Sequence, residues 1–223
     1  LTTVRMAAGM VFGARAALDP GTARSAELLM AQVERFDELL SDLLEISRFD
    51  AGVAAAERST VDVAALVSAV VAEFDEIARA HGTHISLAGT ESPLVIEADG
   101  RRLARIVRNL VANGIEHSEQ RPVEVSLAAT VDAVSVGVRD YGHGIAPENW
   151  DSVFSRFWRA DPARQRTLGG TGLGLAIAAE DAALHGGIID VWGAVGACAP
   201  FVLTVPRNEH RPFTAPAIEV THE

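Results

Sequence analysis

The chain contains no lysine; its nineteen basic residues are all arginine, set against thirty acidic ones. A lysine nucleophile and the lysine of a P-loop are therefore excluded. Cysteine is nearly as scarce. Cys198 stands alone, so no disulfide forms within the chain, and a reducing compartment suits it. Aromatics are only 5% of a chain that is 48% hydrophobic, which points to a core of Ala, Val, Leu and Ile. Positive charge is in deficit, and a formal net charge of −11 argues against a nucleic-acid footprint. Long apolar runs are missing too. The best candidate for a membrane span, Val63 to Phe74, is cut by Glu73 and falls short of the ~20 residues needed. There is no signal-peptide pattern. The chain opens inside an amphipathic segment without an initiator Met, as a piece of something longer would.

What is present is a run of glycines. Gly169-Gly-Thr-Gly-Leu-Gly-Leu175 leads straight into the apolar stretch Ala176 to Leu184. Each glycine costs backbone entropy and leaves a side-chain position empty, so this loop suits a backbone that must approach a ligand. Where such a loop opens a helix, free N–H groups and the positive end of the helix dipole favour a phosphate. Leu173 and Leu175 alternate with the glycines and would anchor the loop.

In chain order, residues 1–17 are helix-compatible, and Asp19-Pro20-Gly21 is a turn. Leu29, Val33, Phe36, Leu40 and Leu43 then follow at alternating spacings of four and three, a heptad seam. Gly52 is placed as a helix C-cap. A hairpin of two such helices cannot close a core alone, and a dimeric four-helix bundle is its natural completion. We therefore divide the chain into a helical hairpin (1–52), a linker (53–60), a second domain (61–206) and a disordered tail rich in Pro, Thr and charge (207–223). In the second domain Val61–Val63 reads as a strand and Ala64–His81 as a helix. His84–Ala88 and Leu94–Ala98 read as strands around a turn. Asp99 caps a helix from Arg101 to His117. Further strands are expected at 123–129, 134–139, 188–192 and 201–205, with a short helix at Trp150–Trp158. The mixture predicts an α+β layer, not a doubly wound sheet.

Three constellations can carry chemistry. Asn109, Asn113 and His117, four apart, share one face of an otherwise apolar helix. An Asn oxygen is a hard ligand suited to Mg²⁺, which keeps water and substrate phosphates as its other ligands. Asp140-Tyr-Gly-His-Gly144 follows an alternating strand. The carboxylate can accept from an adenine amino group, while Gly142 and Gly144 let a ring lie against backbone. Phe154-Ser-Arg-Phe157-Trp-Arg159 places cations beside aromatics just before the glycine loop, and Arg159 or Arg156 can pair with phosphate.

Together these motifs resemble the N, G1, F and G2 boxes of sensor histidine kinases, over roughly residues 1–206, and come closest to an actinobacterial branch of them. The resemblance implies a Bergerat-type ATP-binding α/β sandwich, a mixed sheet with helices on one face, behind a hairpin that dimerises into a four-helix bundle. It implies ATP and Mg²⁺ as cofactors, with Asn113 on the metal and Asp140 reading adenine. Gly142, Gly144, His117, Phe157, Gly170, Thr171, Gly172, Leu173, Gly174 and Leu175 would line the nucleotide, and Phe154 to Gly170 would form a lid. Asn109 and Arg159 would act in the transfer itself. Hydrolytic relatives carry a Glu at the position of Asn109, and an Asn cannot activate water as a carboxylate does. The expected activity is thus transfer of the ATP γ-phosphoryl to a His, then to an Asp of a response regulator.

Two departures accompany the resemblance. Glu116 stands where the family often has a basic residue near the phosphates, a contact for which an Arg can substitute. The family's acceptor His lies just before the segment that Leu1-Thr2 resembles. Here the earliest histidine is His81, so self-phosphorylation is not expected of this chain. The expected partners are a second copy through residues 1–52 and a response regulator. The expected location is the cytoplasmic face of a membrane reached through upstream segments, this piece itself being soluble. Two other readings compete: a non-catalytic nucleotide-sensing or dimerisation module, and a hydrolytic ATPase of the same fold.

Overall fold

Asp19 begins the longest helix. Its carboxylate accepts from the N–H groups of Gly21 (3.0 Å) and Thr22 (3.2 Å), and Pro20 sets the first helical φ, so two otherwise unmet donors are satisfied before the first turn closes. The computed structural model describes residues 2–159, 171–208 and 212–218, which form two compact units, 1–53 and 54–223. The first unit holds α1 (Thr2–Gly13), a 3-10 turn at Arg15–Ala17 and α2 (Pro20–Asp50), with Gly52 at φ +65° ending the second helix. Arg5 pairs with Asp37 across the two helices at 3.4 Å. Ala8, Ala26, Val33 and Ile46 are buried. Of the heptad positions only Val33 is covered; Leu29, Phe36, Leu40 and Leu43 remain exposed.

The second unit is a layered α/β structure. β1 (Ser59–Asp62) pairs antiparallel with β3 (Val95–Ala98) in a small sheet of its own. The main sheet runs in the order β2 (Ile85–Ala88), β4 (Val123–Ala129), β5 (Ala133–Asp140), β7 (Ala199–Pro206), β6 (Ile188–Val191). β2 and β4 are parallel and the other neighbours antiparallel, so the sheet is mixed. α3 (Val63–Ala80), α4 (Gly100–His117) and α5 (Gly174–Leu184) supply the helical layer. Alternation decides the faces. Val134, Val136 and Val138 of β5 and Phe201, Leu203 and Val205 of β7 join Val67, Ile106, Leu110 and Val111 in one core. Among the described residues no helix is long and apolar enough to cross a membrane.

Three sequence expectations change. The strands at 84–88 and 94–98 do not form a hairpin. β2 pairs with the distant β4, and β3 pairs back to β1, because Asp62 both caps α3 and accepts the N–H of Leu94 at 3.2 Å. The helix expected at Trp150–Trp158 is two single 3-10 turns, Pro147–Asn149 and Ser152–Phe154, with Ser155 breaking out to extended geometry. The third concerns the tail. Thr214 donates its N–H to Asp132 at 3.0 Å and Ala217 donates to Ser135 Oγ at 2.9 Å. Ile218 reaches the site where Gly137 lacks a Cβ. Residues 212–218 thus lie against the side chains of β5 that alternate away from the helices. There Ser135 Oγ and Thr204 Oγ1, 2.9 Å apart, are fully buried. The hydroxyls of Thr214 and Thr130 hold the Asp132 carboxyl down to about 2.

Candidate nucleotide site

α4 is the spine of the site. Its N-cap, Asp99, accepts from the N–H groups of Arg101 (3.1 Å) and Arg102 (3.2 Å). Its Leu103, Ile106, Val107, Leu110 and Val111 are buried against the sheet and the other helices. Asn109 and Asn113 fall outside that stripe and are half-buried. The Asn109 amide donates to the carbonyl of Gly174, the first residue of α5, at 2.9 Å. A Cβ at Gly174 would stand 3.0 Å from Asn109 Oδ1, so glycine permits this approach. His117 closes the helix, and its carbonyl lies where a Cβ on Gly142 would be, 1.7 Å away. One helix thus touches the glycine loop near its middle and the Asp140–Gly144 turn at its end.

Asp140 ends β5 with only 1% of its surface exposed. Oδ1 accepts from Gly142 N–H at 3.0 Å, while Oδ2 is buried with no partner among the described residues. Burial raises the carboxyl to about 6, opposed by the hydrogen bonds from the Gly142 and Asp140 N–H groups. A buried, unmet carboxylate oxygen is costly and calls for a donor. The turn that presents it is braced on several sides. Arg121 Nη1 donates to the Tyr141 carbonyl at 2.6 Å, the Tyr141 hydroxyl donates to Glu124 at 2.8 Å, and Arg139 lies 5.0 Å over the tyrosine ring. Gly144, at φ +67°, passes so close under the β6–β7 turn that a Cβ would meet the Ala194 carbonyl at 1.9 Å. These braces are not apparent in the sequence. The one visible sign was the clustering of Arg121, Glu124 and Arg139 around two strands that pair.

The glycine loop ends as expected. Leu173 is fully buried and Leu175 packs on the core, so the two leucines anchor it. Their side chains point into the protein, and what this stretch offers a ligand is backbone. Leu173 N–H bonds to Thr171 Oγ1 at 3.1 Å, and among the described residues no side chain caps α5, which leaves donors of its first turn without side-chain acceptors there. Gly172, at φ +79°, accepts from Phe157 N–H at 2.9 Å. Phe157 itself sits at φ 62° and is 59% exposed, so the F-box residue and the loop meet through backbone. Of the lid expected from Phe154 to Gly170, the part from residue 160 onward, Gly169 and Gly170 included, lies outside the described residues. Arg159 is exposed. Among the described residues no cluster of three or more His, Cys, Asp or Glu could hold a metal. A cation here would depend on an Asn oxygen, water and the ligand's own phosphates, the habit of Mg²⁺.

Comparison with known proteins agrees with this geometry. A profile described as histidine kinase-, DNA gyrase B- and HSP90-like ATPase matches residues 98–209, which include α4, Asp140 and the start of α5. Sensor histidine kinase MtrB of Mycolicibacterium paratuberculosis is 48% identical over 217 residues, 97% of this chain and 38% of that one. MtrB of Mycobacterium tuberculosis is 47% identical over the same shares. MtrB is also the type that the wording Val153-Phe-Ser-Arg-Phe-Trp158 singles out in the sequence. The chain spans about two fifths of the length of these relatives. Full-length ShkA in complex with AMPPNP superposes with a TM-score of 0.73 at 27% identity, covering 96% of this chain and 44% of that one. The catalytic domain of histidine kinase ThkA gives 0.61 at 26% identity, over 69% of this chain and 98% of the other. From α4 to β7 the elements, their order and the profile coincide, and the chain belongs to the histidine kinase-, DNA gyrase B- and HSP90-like ATPase family.

Proposed function

We propose that the second unit binds one ATP with Mg²⁺ and that, within a longer sensor kinase, it transfers the γ-phosphoryl to a histidine and thence to a response-regulator aspartate. The observation that carries the reading is the Asp140 carboxylate, whose buried Oδ2 lacks a donor beside a turn where His117 and Ala194 leave room only for glycine. The exocyclic amino group of adenine is a donor of the right kind. In this reading Asp140 accepts that N–H, Gly142 and Gly144 admit the ring, and the first-turn N–H groups of α5 take the phosphates. Arg159 adds a guanidinium to the phosphates. Asn113 would hold the metal, and bound Mg²⁺ would neutralise charge on the transferring phosphoryl. Asn109, tied to the Gly174 carbonyl, orients the loop against α4. An amide held this way has no basic site for deprotonating water, so transfer is favoured over hydrolysis.

The helical unit fits a dimer in the same reading. The α2 seam of Leu29, Phe36, Leu40 and Leu43 stays exposed, and a second copy would bury it. The intact kinase would stand at the cytoplasmic face of a membrane.

The test is calorimetry with ATP·Mg²⁺, followed by γ-labelled ATP offered with a separate acceptor hairpin that carries the histidine. We expect binding heat, label on the hairpin, and a loss of affinity of about tenfold or more in Asp140→Asn, since hydrogen bonds to charged groups contribute about 1.5–3 kcal/mol. Free phosphate without labelled hairpin would sink the kinase reading. No heat from ATP, ADP or adenosine would sink the nucleotide reading altogether.

A further inference from the structure

α5 carries a charge that its composition does not need. The helix is nearly all small and apolar (Gly174-Leu-Ala-Ile-Ala-Ala-Glu-Asp-Ala-Ala-Leu184), yet Asp181 is completely buried in it. Arg105 grips that carboxylate with both prongs, Nε to Oδ2 at 2.6 Å and Nη2 to Oδ1 at 2.7 Å, and Arg102 Nη1 adds a bond to Oδ1 at 2.7 Å. One turn further on, His185 is buried and neutral, its pKa pushed down chiefly by burial. Its Nδ1–H donates to the Asp181 carbonyl at 2.7 Å, and its Nε2 accepts the N–H of Asp99, the cap of α4, at 3.0 Å. Arg58 Nη2 reaches the Leu184 carbonyl at 3.2 Å. The pairings Gly174–Asn109, Asp181–Arg105 and His185–Asp99 run down two antiparallel helices like rungs.

Physical chemistry says what such a cluster is good for. A buried ion group contributes little net stability beside apolar residues of the same volume, but in some proteins it serves to select one arrangement of the elements it joins. An alanine-rich helix has shallow ridges and grooves, so its shape alone resists sliding and rotation poorly. We infer that Asp181, held by Arg105 and Arg102, is a positioning residue that locks the register of α5 on α4 and so aims the free N–H groups of the α5 first turn at the nucleotide phosphates. The inference rests on the nucleotide reading of the site. None of the three side chains touches the nucleotide in that reading. Their effect reaches the phosphates through α5, whereas adenine is held by Asp140 on β5 and does not depend on that register.

That division makes the inference testable. Kd values for ATP·Mg²⁺, ADP·Mg²⁺ and adenosine are measured by calorimetry on the full chain and on Asp181→Asn and Arg105→Lys, with melting curves for each. Arg105→Lys keeps the charge and loses the fork, and it serves where Asp181→Asn does not fold. We expect ATP and ADP to weaken about tenfold, the cost of misplacing a group by a fraction of an ångström, while adenosine moves less than about twofold. Equal weakening of all three ligands, or unchanged ATP affinity in a folded variant, overturns the inference and leaves the nucleotide reading standing. If both variants unfold, the cluster serves the core as a whole and the inference also fails. A wild-type chain that binds neither ATP nor adenosine removes the nucleotide reading itself.

Discussion

In the helical unit Leu28, Leu29, Phe36, Leu43 and Leu44 stand 46–64% exposed, whereas in the α/β unit Ile106, Leu110, Ile177 and Phe201 are 0–2% exposed. The same residue classes are thus left open in one region and closed in the other. The second unit completes its own core between three helices and a five-stranded sheet. The first consists of helices whose apolar seam faces outward. Hydrophobic patterning fixes which face wants cover, but not what supplies it.

The sharpest way to break this contrast is a matched pair of truncations. Leu110→Ala, at a fully buried position, should destabilise the α/β unit by about 2–5 kcal/mol. Phe36→Ala should leave the melting of that unit unchanged and raise the dissociation constant of the proposed dimer about tenfold or more, read by sedimentation. Equal effects on melting would show that the two seams are not different in kind.

A smaller effect tests the carboxylate. Asp140 has its pKa raised by burial from 3.8 to about 6, so its contribution to stability is present below pH 3.8 and is lost as pH rises through 6. In the proposed reading, adenine needs the ionised acceptor. ATP affinity should therefore be flat above pH 7 and fall by up to about tenfold per unit below pH 6, while the empty protein gains stability over the same window. A pH-independent Kd between pH 5 and 7 would contradict this. The smallest effect expected is that of Thr214→Val, which deletes a hydroxyl bond to Asp132. We expect a fall in Tm of no more than a few degrees, with faster amide exchange at Ala217.

What the sequence shows by itself follows from the range of the interactions. The cap Asp99 acts over two or three residues and is visible in the chain, as is the strand alternation of β4 and β5, whereas Asp19 reads as a turn and Asp62 as part of a strand until their helices are seen. The Asn stripe, the Asp140 turn and the leucine-anchored loop are visible for the same reason. The pairing of β2 is not. A four-residue strand, Ile85–Ala88, has no local mark showing that its partner lies at Val123–Ser126 and not at Val95–Ala98. Asp181 is also invisible, because an acid next to Glu180 in an apolar helix reads as a solvent-facing position until Arg102 and Arg105 are brought to it from 76 or more residues away. The composition of 207–223 suggests disorder because the partners of Thr214 and Ala217, Asp132 and Ser135, lie 82 residues upstream.

Residues 212–218 bear on how the gene can be trimmed. The family profile stops at residue 209, and β7 at Pro206, so a cut just beyond the last strand looks harmless. Such a shortened protein would lose the cover that Ile218 gives Gly137 and that Ala217 gives the Ser135–Thr204 hydroxyl pair, and so bare a strip of sheet. Strips of that kind invite stacking between copies. A trimmed domain should clump on concentration while the longer chain stays dispersed.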